Sequence, residues 1–334
     1  MRRRTIAGTE VAVTELGFGA AALGNLYRET SEEDARGAVS AAWDAGLRYF
    51  DTAPHYGLGL SERRLGRELR ERSRAELVVS SKVGRLLVTN EHPAGRDPDL
   101  FDVPDDLRRE LDYSRDGVLR SLEATLERTG LDRVDIVYVH DPDEHWAQAA
   151  DEALPALAEL RDAGVVGAIG AGMSSAAMLT RFLRETAADV VMLAGRYTLL
   201  DQSALDDLLP AASELGKSVV AVGVFNSGLL AADRPAAGAT YDYAPAAAAL
   251  VQRAHRIADV CEAHGTTLPA AAIAFPAGHP AVVNVTLGMR TAEEVRSNVA
   301  RHRQPVPAAV WDDLREQGLL RPDAPVPGPD TTAS

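Results

Sequence analysis

Four side chains that can transfer or stabilise a proton follow three short apolar runs of this 334-residue sequence. The runs end near residues 51, 82 and 140, and each is followed by polar residues. In a barrel of parallel strands, chemistry takes place where the strands end. The spacing therefore predicts an active site built from an acid, a phenol, an amine and an imidazole, namely Asp51, Tyr56, Lys82 and His140.

The residue types suggest how such a site would work. A lysine enclosed at a barrel mouth needs a partner for its charge, and Asp51 would supply it, although burying such a pair is costly. A phenol beside an ammonium has its ionised form favoured, so we predict that Lys82 lowers the pKa of Tyr56 from about 10. Tyr56 would then pass a proton in either direction. His140 would orient a substrate oxygen or donate to it.

Each of these residues taken alone also has an ordinary explanation. A strand-end Asp often caps the next helix, and a single Tyr, Lys or His near a loop is commonly a packing or surface residue. A metal site is a second alternative, because residues 140–145 are rich in possible ligands. Lys82 in the same mouth would repel a cation, so we predict no metal. The joint occurrence at three strand ends favours catalysis.

The elements that must position these residues follow a repeating pattern. Short Val/Ile/Leu-rich runs alternate with longer amphipathic segments, which is typical of βα units and predicts an α/β protein, a closed (β/α)8 TIM barrel. An open doubly wound sheet is disfavoured, because residues 16–19 lack the third glycine of its phosphate loop. Strands are predicted near residues 15–19, 47–51, 77–81, 134–139, 165–169, 189–194, 218–223 and 282–286. Helices are predicted near residues 32–45, 61–71, 115–129, 147–163, 175–187, 203–215, 251–264 and 291–302.

Three segments fall outside the eightfold pattern. Residues 2–13 predict an N-terminal β-hairpin that caps the bottom of the barrel. Long loops are predicted over residues 85–113 after the third strand and 227–250 after the seventh, where loops build substrate pockets. We predict one domain over residues 1–320 and a disordered tail over 321–334.

Composition narrows the class of partner. The chain has 35 basic and 49 acidic residues and a net charge of -14, which argues against nucleic acid or an anionic membrane as a partner. No stretch approaches the roughly 20 apolar residues of a membrane span. The single cysteine, Cys261, fits a reducing compartment. We therefore predict a cytoplasmic protein that acts on a small molecule, as a monomer or a small homo-oligomer.

The motifs resemble one family closely. The Asp-Thr-Ala-x-x-Tyr-Gly block at 51–57, the Ser-x-Lys-Val-Gly block at 80–84 and His140 resemble the aldo-keto reductases, over roughly residues 4–318. The resemblance implies that Asp51, Tyr56, Lys82 and His140 form a catalytic tetrad. Further blocks at 169–173, 193–202 and 225–230 resemble the branch of L-fucose and D-threo-aldose 1-dehydrogenases, which pyridoxal 4-dehydrogenase-like enzymes share.

The resemblance also implies a nicotinamide cofactor held without a Rossmann loop. Phosphate sites of these barrels form after strands seven and eight and at a helix N-terminus. Glu294 stands where NADP-preferring relatives carry a basic residue. A carboxylate suits a ribose hydroxyl and repels a 2′-phosphate, so we predict NAD, while Arg290 leaves NADP open. The predicted cofactor-binding residues are Gly19, Ser174, Phe225, Asn226, Ser227, Gly288, Arg290, Glu294 and Asn298.

Three positions depart from the family pattern. Ser174 stands where many relatives have an Asn that grips the carboxamide, and a serine hydrogen-bonds less fully. Ala194 and Val222 replace a common Gln and a Tyr that stacks on the nicotinamide. The last two departures look shared by the sugar-dehydrogenase branch, so they bear on the cofactor geometry more than on catalysis.

The expected activity is oxidation of the anomeric hydroxyl of an aldose to a lactone with NAD. An alternative that uses the same residues is oxidation of pyridoxal or reduction of another aldehyde or ketone. A non-catalytic, cofactor-binding regulatory subunit is a third possibility, which a missing tetrad residue would have favoured. The predicted substrate contacts are the loop residues Tyr27, His55, Arg85 and Trp146.

Overall fold

The computed structural model of the protein describes residues 1–236 and 238–328. Eight parallel strands pair in chain order, and the last pairs with the first, with Leu16 opposite Val285. The predicted (β/α)8 barrel is therefore confirmed. The strands are β1 (Arg3–Thr5), β2 (Ala12–Thr14), β3 (Leu16–Gly19), β4 (Tyr49–Asp51), β5 (Val78–Val83), β6 (Arg85–Thr89), β7 (Leu107–Leu111), β8 (Ile136–His140), β9 (Ala168–Met173), β10 (Val190–Ala194), β11 (Ser218–Val222), β12 (Thr240–Tyr241), β13 (Ala244–Pro245) and β14 (Val282–Gly288).

The barrel itself consists of β3, β4, β5, β8, β9, β10, β11 and β14. Helices surround it, and several begin at a Ser or Thr whose hydroxyl accepts a backbone amide, as Ser31, Ser114 and Thr291 do. The helices are α1 (Glu32–Asp44), α2 (Leu60–Leu69), α3 (Arg115–Thr129), α4 (Trp146–Gln148), α5 (Leu154–Asp162), α6 (Ala176–Glu185), α7 (Leu208–Glu214), α8 (Ala248–Ala263), α9 (Leu268–Ala274), α10 (Ala292–Arg303) and α11 (Ala308–Glu316). None of the described helices is long and apolar enough to cross a membrane.

Two departures from the predicted elements have physical reasons. The strand expected at 165–169 is β9, which starts at Ala168 and continues through two glycines to Met173. A side chain at Gly170 would overlap the carbonyl oxygen of Val190, so the neighbouring strand requires glycine inside this one. Helices α9 and α11 were not predicted. The first is Ala-rich and almost wholly buried, so it carries no alternation of polar and apolar faces.

The N-terminal hairpin closes one end of the barrel, as predicted. Strands β1 and β2 pair antiparallel, and Ile6 and Val13 are fully buried in the cluster that fills the barrel interior. Their partners there include Val78, Ile136 and Val190, the first residues of three barrel strands. The hairpin therefore lies at the end opposite the strand ends that carry the candidate active site.

The two long loops have structure of their own. Residues 85–113 contain the antiparallel pair β6 and β7, and residues 227–250 contain the short pair β12 and β13. The disorder predicted from residue 321 is wrong for residues 321–328, because Ala324 is buried and Arg321 forms an ion pair with Asp206. Residues 329–334 lie outside the described residues.

Candidate active site

The strands bring the four predicted tetrad residues together. Asp51 is the last residue of β4, His140 is the last of β8, and Lys82 lies near the end of β5 between them. All three side chains are buried. Tyr56 follows on the loop after β4, and its hydroxyl lies 3.1 Å from the Lys82 ammonium.

The Lys82 ammonium is fully engaged. Its nitrogen lies 2.8 and 3.0 Å from the two carboxylate oxygens of Asp51 and 3.0 Å from the carbonyl oxygen of Thr52. With Tyr56 as the remaining acceptor, all three ammonium protons have partners. Burial lowers the pKa of Lys82, but Asp51 and Tyr56 outweigh it and hold that pKa above its ordinary value. Because the Tyr56 oxygen accepts from Lys82, the phenol keeps its own proton for another partner.

The pKa of Tyr56 lies opposite to the prediction from the sequence. Burial raises the pKa of Tyr56 to about 12, which outweighs the lowering by Lys82. Asp51 raises it further, since its negative charge offsets the ammonium beside the phenol. The prediction of a lowered pKa is therefore wrong for the protein without ligands. The sequence shows that a lysine is close, but not how strongly the surrounding protein counters its charge.

The loop that carries Tyr56 depends on a glycine next to it. Gly57 has a φ of +61°, and a Cβ there would overlap the carbonyl oxygen of Gly24 on the loop after β3. The ring of Phe101, from the long loop after β5, lies 6.0 Å from the Tyr56 ring. Close contact with two neighbouring loops fixes the phenol over the barrel mouth.

His140 is a neutral imidazole at the edge of this group. Burial, with the positive charges of Lys82 and Arg85, holds its pKa well below the usual range. Its ring lies edge-on to Tyr56 at 6.1 Å, and Nδ1 is buried with no partner among the described residues. Tyr113 donates to the His140 carbonyl oxygen across 2.8 Å. A neutral ring held in this way can donate to or accept from a substrate oxygen.

The four predicted substrate residues have different surroundings. His55 joins the cluster, with its ring 5.6 Å from that of His140. Arg85 donates to Asp141 across 2.9 Å and contributes positive charge to the mouth. Tyr27 is half exposed on the loop after β3. The indole of Trp146 packs against α6, 4.8 Å from the ring of Phe182, so its contacts give no support to a substrate role.

The long loop after β5 adds residues that the sequence did not single out. Arg109 donates to the carbonyl oxygen of His55 across 2.9 Å and forms two hydrogen bonds of 2.6 and 2.7 Å with Asp97. Both side chains are nearly buried. The ring of Phe101 lies 5.2 Å from His55. Residues 107–111 place three charged residues between two leucines, so no apolar alternation indicated β7. The contact of Arg109 with the loop of Tyr56 comes only from the fold of the insertion.

The ends of β11 and β14 lie around the barrel from Asp51. Gly19 pairs with Asp51 on one side and with Gly288 on the other, so it connects the two halves of the mouth. Asn226 is buried with a φ of +46°, donates to Gly195 and leaves its Oδ1 without a partner among the described residues. A Cβ at Gly288 would meet open space. Phe225 is partly buried just before Asn226.

The remaining candidates for cofactor binding are already in contact with the protein. Arg290 donates to the carbonyl oxygens of Leu26 and Arg28 and to the hydroxyl of Thr30. Glu294 accepts the backbone amide of Arg290 across 2.7 Å at the start of α10. Three further candidates differ in exposure: Ser174 is exposed after β9, Asn298 is buried on α10, and Ser227 accepts the amide of Tyr243.

These residues fit a nicotinamide dinucleotide. The unsatisfied oxygen of Asn226 can accept from a carboxamide or a hydroxyl. The open space beside Gly288 leaves room for part of the dinucleotide. No group of three His, Cys, Asp or Glu side chains within residues 1–236 and 238–328 is placed to hold a metal ion.

The chain belongs to the aldo/keto reductase family, whose sequence profile matches residues 15–317. It is an oxidoreductase of a family that uses nicotinamide cofactors. A D-threo-aldose 1-dehydrogenase of a Pseudomonas species is 46% identical over 318 residues, which cover 94% of this chain and 97% of the relative. A pyridoxal 4-dehydrogenase of Microbacterium luteolum is 40% identical over 338 residues, covering 95% and 98%.

Solved structures agree on the fold. An aldo-keto reductase from Bacillus halodurans in its holo form superposes with a TM-score of 0.74 at 24% identity, covering 96% of this chain and 97% of that one. A glycerol dehydrogenase from Gluconobacter oxydans gives a TM-score of 0.75 at 20% identity, covering 98% and 99%. At these identities the likeness concerns the barrel alone.

Proposed function

We propose that this protein oxidises the anomeric hydroxyl of an aldose to a lactone with NAD. One observation carries the proposal: the Lys82 ammonium joins Asp51 to the oxygen of Tyr56 in a buried site at the barrel mouth. The D-threo-aldose 1-dehydrogenase, similar over nearly its whole length, supports an aldose as the substrate.

Tyr56 is the proposed acceptor of the hydroxyl proton. A nicotinamide cofactor, when bound, would supply an acceptor for the hydride that leaves C1. Lys82 stabilises the ionised Tyr56 oxygen that accepts the proton, because its ammonium already donates there. His140, neutral and edge-on to Tyr56, hydrogen-bonds the same substrate oxygen and holds it near the phenol. Asp51 keeps Lys82 charged and in place.

The anomeric hydroxyl suits an acceptor of this kind. The ring oxygen makes it more acidic than an ordinary alcohol, so its proton is given up more readily. With a pKa of about 12, Tyr56 is mostly protonated at neutral pH. The rate of oxidation should therefore rise with pH as the ionised fraction of the phenol rises.

We propose NAD in preference to NADP. Arg290 donates to three oxygens of the loop after β3, so its guanidinium is engaged within the protein. Glu294 presents a carboxylate on the same turn, which suits a ribose hydroxyl and repels a 2′-phosphate. Titrating the tryptophan fluorescence with each reduced cofactor tests the proposal. Tighter binding of NADPH than of NADH would overturn the proposal. Glu294→Lys should reduce the preference for NADH over NADPH, and Glu294→Gln should reduce it less.

A second candidate is oxidation of pyridoxal or reduction of an aldehyde or ketone. The pyridoxal 4-dehydrogenase at 40% identity favours the first. The protonated state of Tyr56 at neutral pH favours reduction, in which the phenol gives its proton to a carbonyl oxygen. Both reactions would use the same four residues, so only the substrate distinguishes them.

Initial rates of reduced-cofactor formation provide the test. L-fucose, D-arabinose, L-galactose, D-glucose and pyridoxal are compared, with NAD and NADP in parallel. Turnover of a sugar with NAD supports the proposal, whereas turnover of pyridoxal alone moves the activity to the second candidate. No turnover of any substrate or of aldehydes, together with tight cofactor binding, would indicate a regulatory subunit.

A further inference from the structure

A chain of buried hydroxyl groups continues from Asp51 into the barrel. The Ser80 hydroxyl lies 2.7 Å from Oδ1 of Asp51. The Tyr49 hydroxyl lies 2.9 Å from that of Ser80, and the Tyr138 hydroxyl lies 3.4 Å from that of Tyr49. All three side chains are fully buried. They come from three adjacent strands, β4, β5 and β8.

These hydroxyls are unusual for their surroundings. The rings of Tyr49 and Tyr138 belong to the apolar cluster of the barrel interior, together with Val78, Ile136 and Val190. An unpaired hydroxyl buried there would be costly, and a phenylalanine would fill nearly the same space. The polar chain therefore calls for an explanation beyond packing.

The carboxylate fixes the direction of every hydrogen bond in the chain. An ionised Asp51 only accepts, so the single hydroxyl proton of Ser80 is directed to it. Ser80 can then only accept from Tyr49, and Tyr49 can only accept from Tyr138. Aligned hydrogen bonds strengthen one another, so the whole chain donates toward Asp51.

The orientation of Asp51 follows from this arrangement. Lys82 contacts both carboxylate oxygens from one side, and Ser80 holds Oδ1. We propose that Ser80, Tyr49 and Tyr138 are positioning residues for the proton transfer proposed at Tyr56, because the chain holds Oδ1 of Asp51 and so keeps the carboxylate directed toward Lys82. The inference rests on that proposed function.

The chain also spreads the negative charge of Asp51. A carboxylate that accepts an additional hydrogen bond offsets less of the Lys82 charge, which leaves more of it to stabilise an ionised Tyr56. The other groups that face the phenol are His55 and His140, both neutral, and Tyr243. None of these contacts changes when the Ser80 hydroxyl is removed.

The test is the titration of a fluorinated tyrosine placed at position 56, followed by ¹⁹F NMR in the protein without substrate or cofactor. Fluorination lowers the pKa of the phenol, so that its titration falls within an accessible pH range. Ser80→Ala should raise its pKa by roughly half a unit to one unit. Tyr49→Phe should raise it less, and Tyr138→Phe least, because each lies one hydrogen bond farther from the carboxylate. Ser80→Thr, which keeps the hydroxyl, should restore the original titration.

The rate of oxidation gives a second measurement. In Ser80→Ala, kcat near neutral pH should fall by roughly three- to tenfold with little change in KM, since one unit of pKa changes the ionised fraction tenfold. The matched control is Tyr197→Phe. It removes the hydroxyl of a buried tyrosine, and that hydroxyl has no partner among the described residues. It should leave both the titration and the rate unchanged. Circular dichroism shows whether each variant is folded. If Ser80→Ala does not fold, Tyr49→Phe provides the test.

The outcomes separate the inference from the proposed function. An unchanged titration in Ser80→Ala and Tyr49→Phe would overturn the inference, whatever the activity. A shifted titration in a protein whose Tyr56→Phe variant still turns over would support the effect of the hydroxyl chain on Tyr56 and refute the proposed function, in which Tyr56 transfers the proton. A shift of equal size in Tyr197→Phe would mean that the effect is a general loss of packing and would also overturn the inference.

Discussion

The ammonium of Lys82 lies 3.1 Å from the hydroxyl of Tyr56 and within 3.0 Å of both carboxylate oxygens of Asp51. The lysine therefore holds the phenol on one side and the acid on the other, in a site removed from water. Because water cannot take the place of the Lys82 charge, substitutions of Asp51, Tyr56 and Lys82 should each have a distinct effect.

Removal of the Tyr56 hydroxyl should abolish proton transfer without affecting cofactor binding. General acid–base groups contribute roughly 10²- to 10⁴-fold to rates, so kcat of Tyr56→Phe should fall by about that factor. Steady-state rates and a fluorescence titration with reduced cofactor measure the two effects. Full activity in this variant would refute the proposed role of Tyr56.

Removal of the Lys82 charge should destabilise the protein as well as inactivate it. Lys82→Met leaves Asp51 as a buried carboxylate without its ion pair, which costs about 3–5 kcal/mol of the free energy of unfolding. The double variant Asp51→Asn and Lys82→Met removes both charges, so it should regain part of that stability and none of the activity. Urea unfolding measures the free energy of unfolding of the single and the double variant. Equal values would show that the unpaired charge of Asp51 does not cause the loss of stability.

Acid should destabilise the protein through His140, which is buried, and His55, which is partly buried. Burial and nearby arginines lower the pKa of His55 to about 2, and burial lowers that of His140 well below its usual range. Below about pH 6.5 the unfolded chain binds protons that the folded protein does not, so the free energy of unfolding falls as the pH falls. Each histidine contributes about 1.4 kcal/mol per pH unit in that range. His55→Asn should flatten the profile, and an unchanged slope would contradict the burial of a neutral ring.

The long loop after β5 should influence the rate through Arg109. This residue holds the carbonyl oxygen of His55, next to Tyr56, and is itself held by Asp97. Arg109→Met should lower kcat/KM for the proposed sugar substrate by about tenfold or more, because small displacements of catalytic groups are costly. Arg108→Met is the matched control, since Arg108 is exposed on the same strand. Equal effects of the two substitutions would argue against a positioning role.

The sequence was sufficient for the fold and for the grouping of the tetrad. Each apolar run of a parallel barrel ends at the same face, so the polar residues after β4, β5 and β8 had to meet. Where glycines interrupted an apolar run, as in β9, the strand was predicted several residues too early. Local pattern does not reveal that a neighbouring strand requires a glycine.

The sequence was not sufficient to predict the pKa of Tyr56 or the contacts of Arg109 and Ser80. The pKa of Tyr56 depends on a balance between burial and the charge of Lys82, and the sequence gives only the charge. Arg109 reaches His55 only because residues 85–113 fold back as a hairpin. Ser80 is one of several polar residues near the end of β5. Only the register of β4 and β5, which sets it opposite Asp51, brings its hydroxyl to the carboxylate.

The pairing of β3 with β14 has a consequence for biosynthesis. The first barrel strand leaves the ribosome before the other seven, but its partner, with Val285 opposite Leu16, is made only after the six strands between them. Until then the nascent sheet has two open edges, which can pair with other chains. The tetrad strands can already lie side by side at that stage, yet the proposed cofactor residues beside β14 have not been made. A chain stalled before residue 282 would therefore depend on chaperones and would remain inactive.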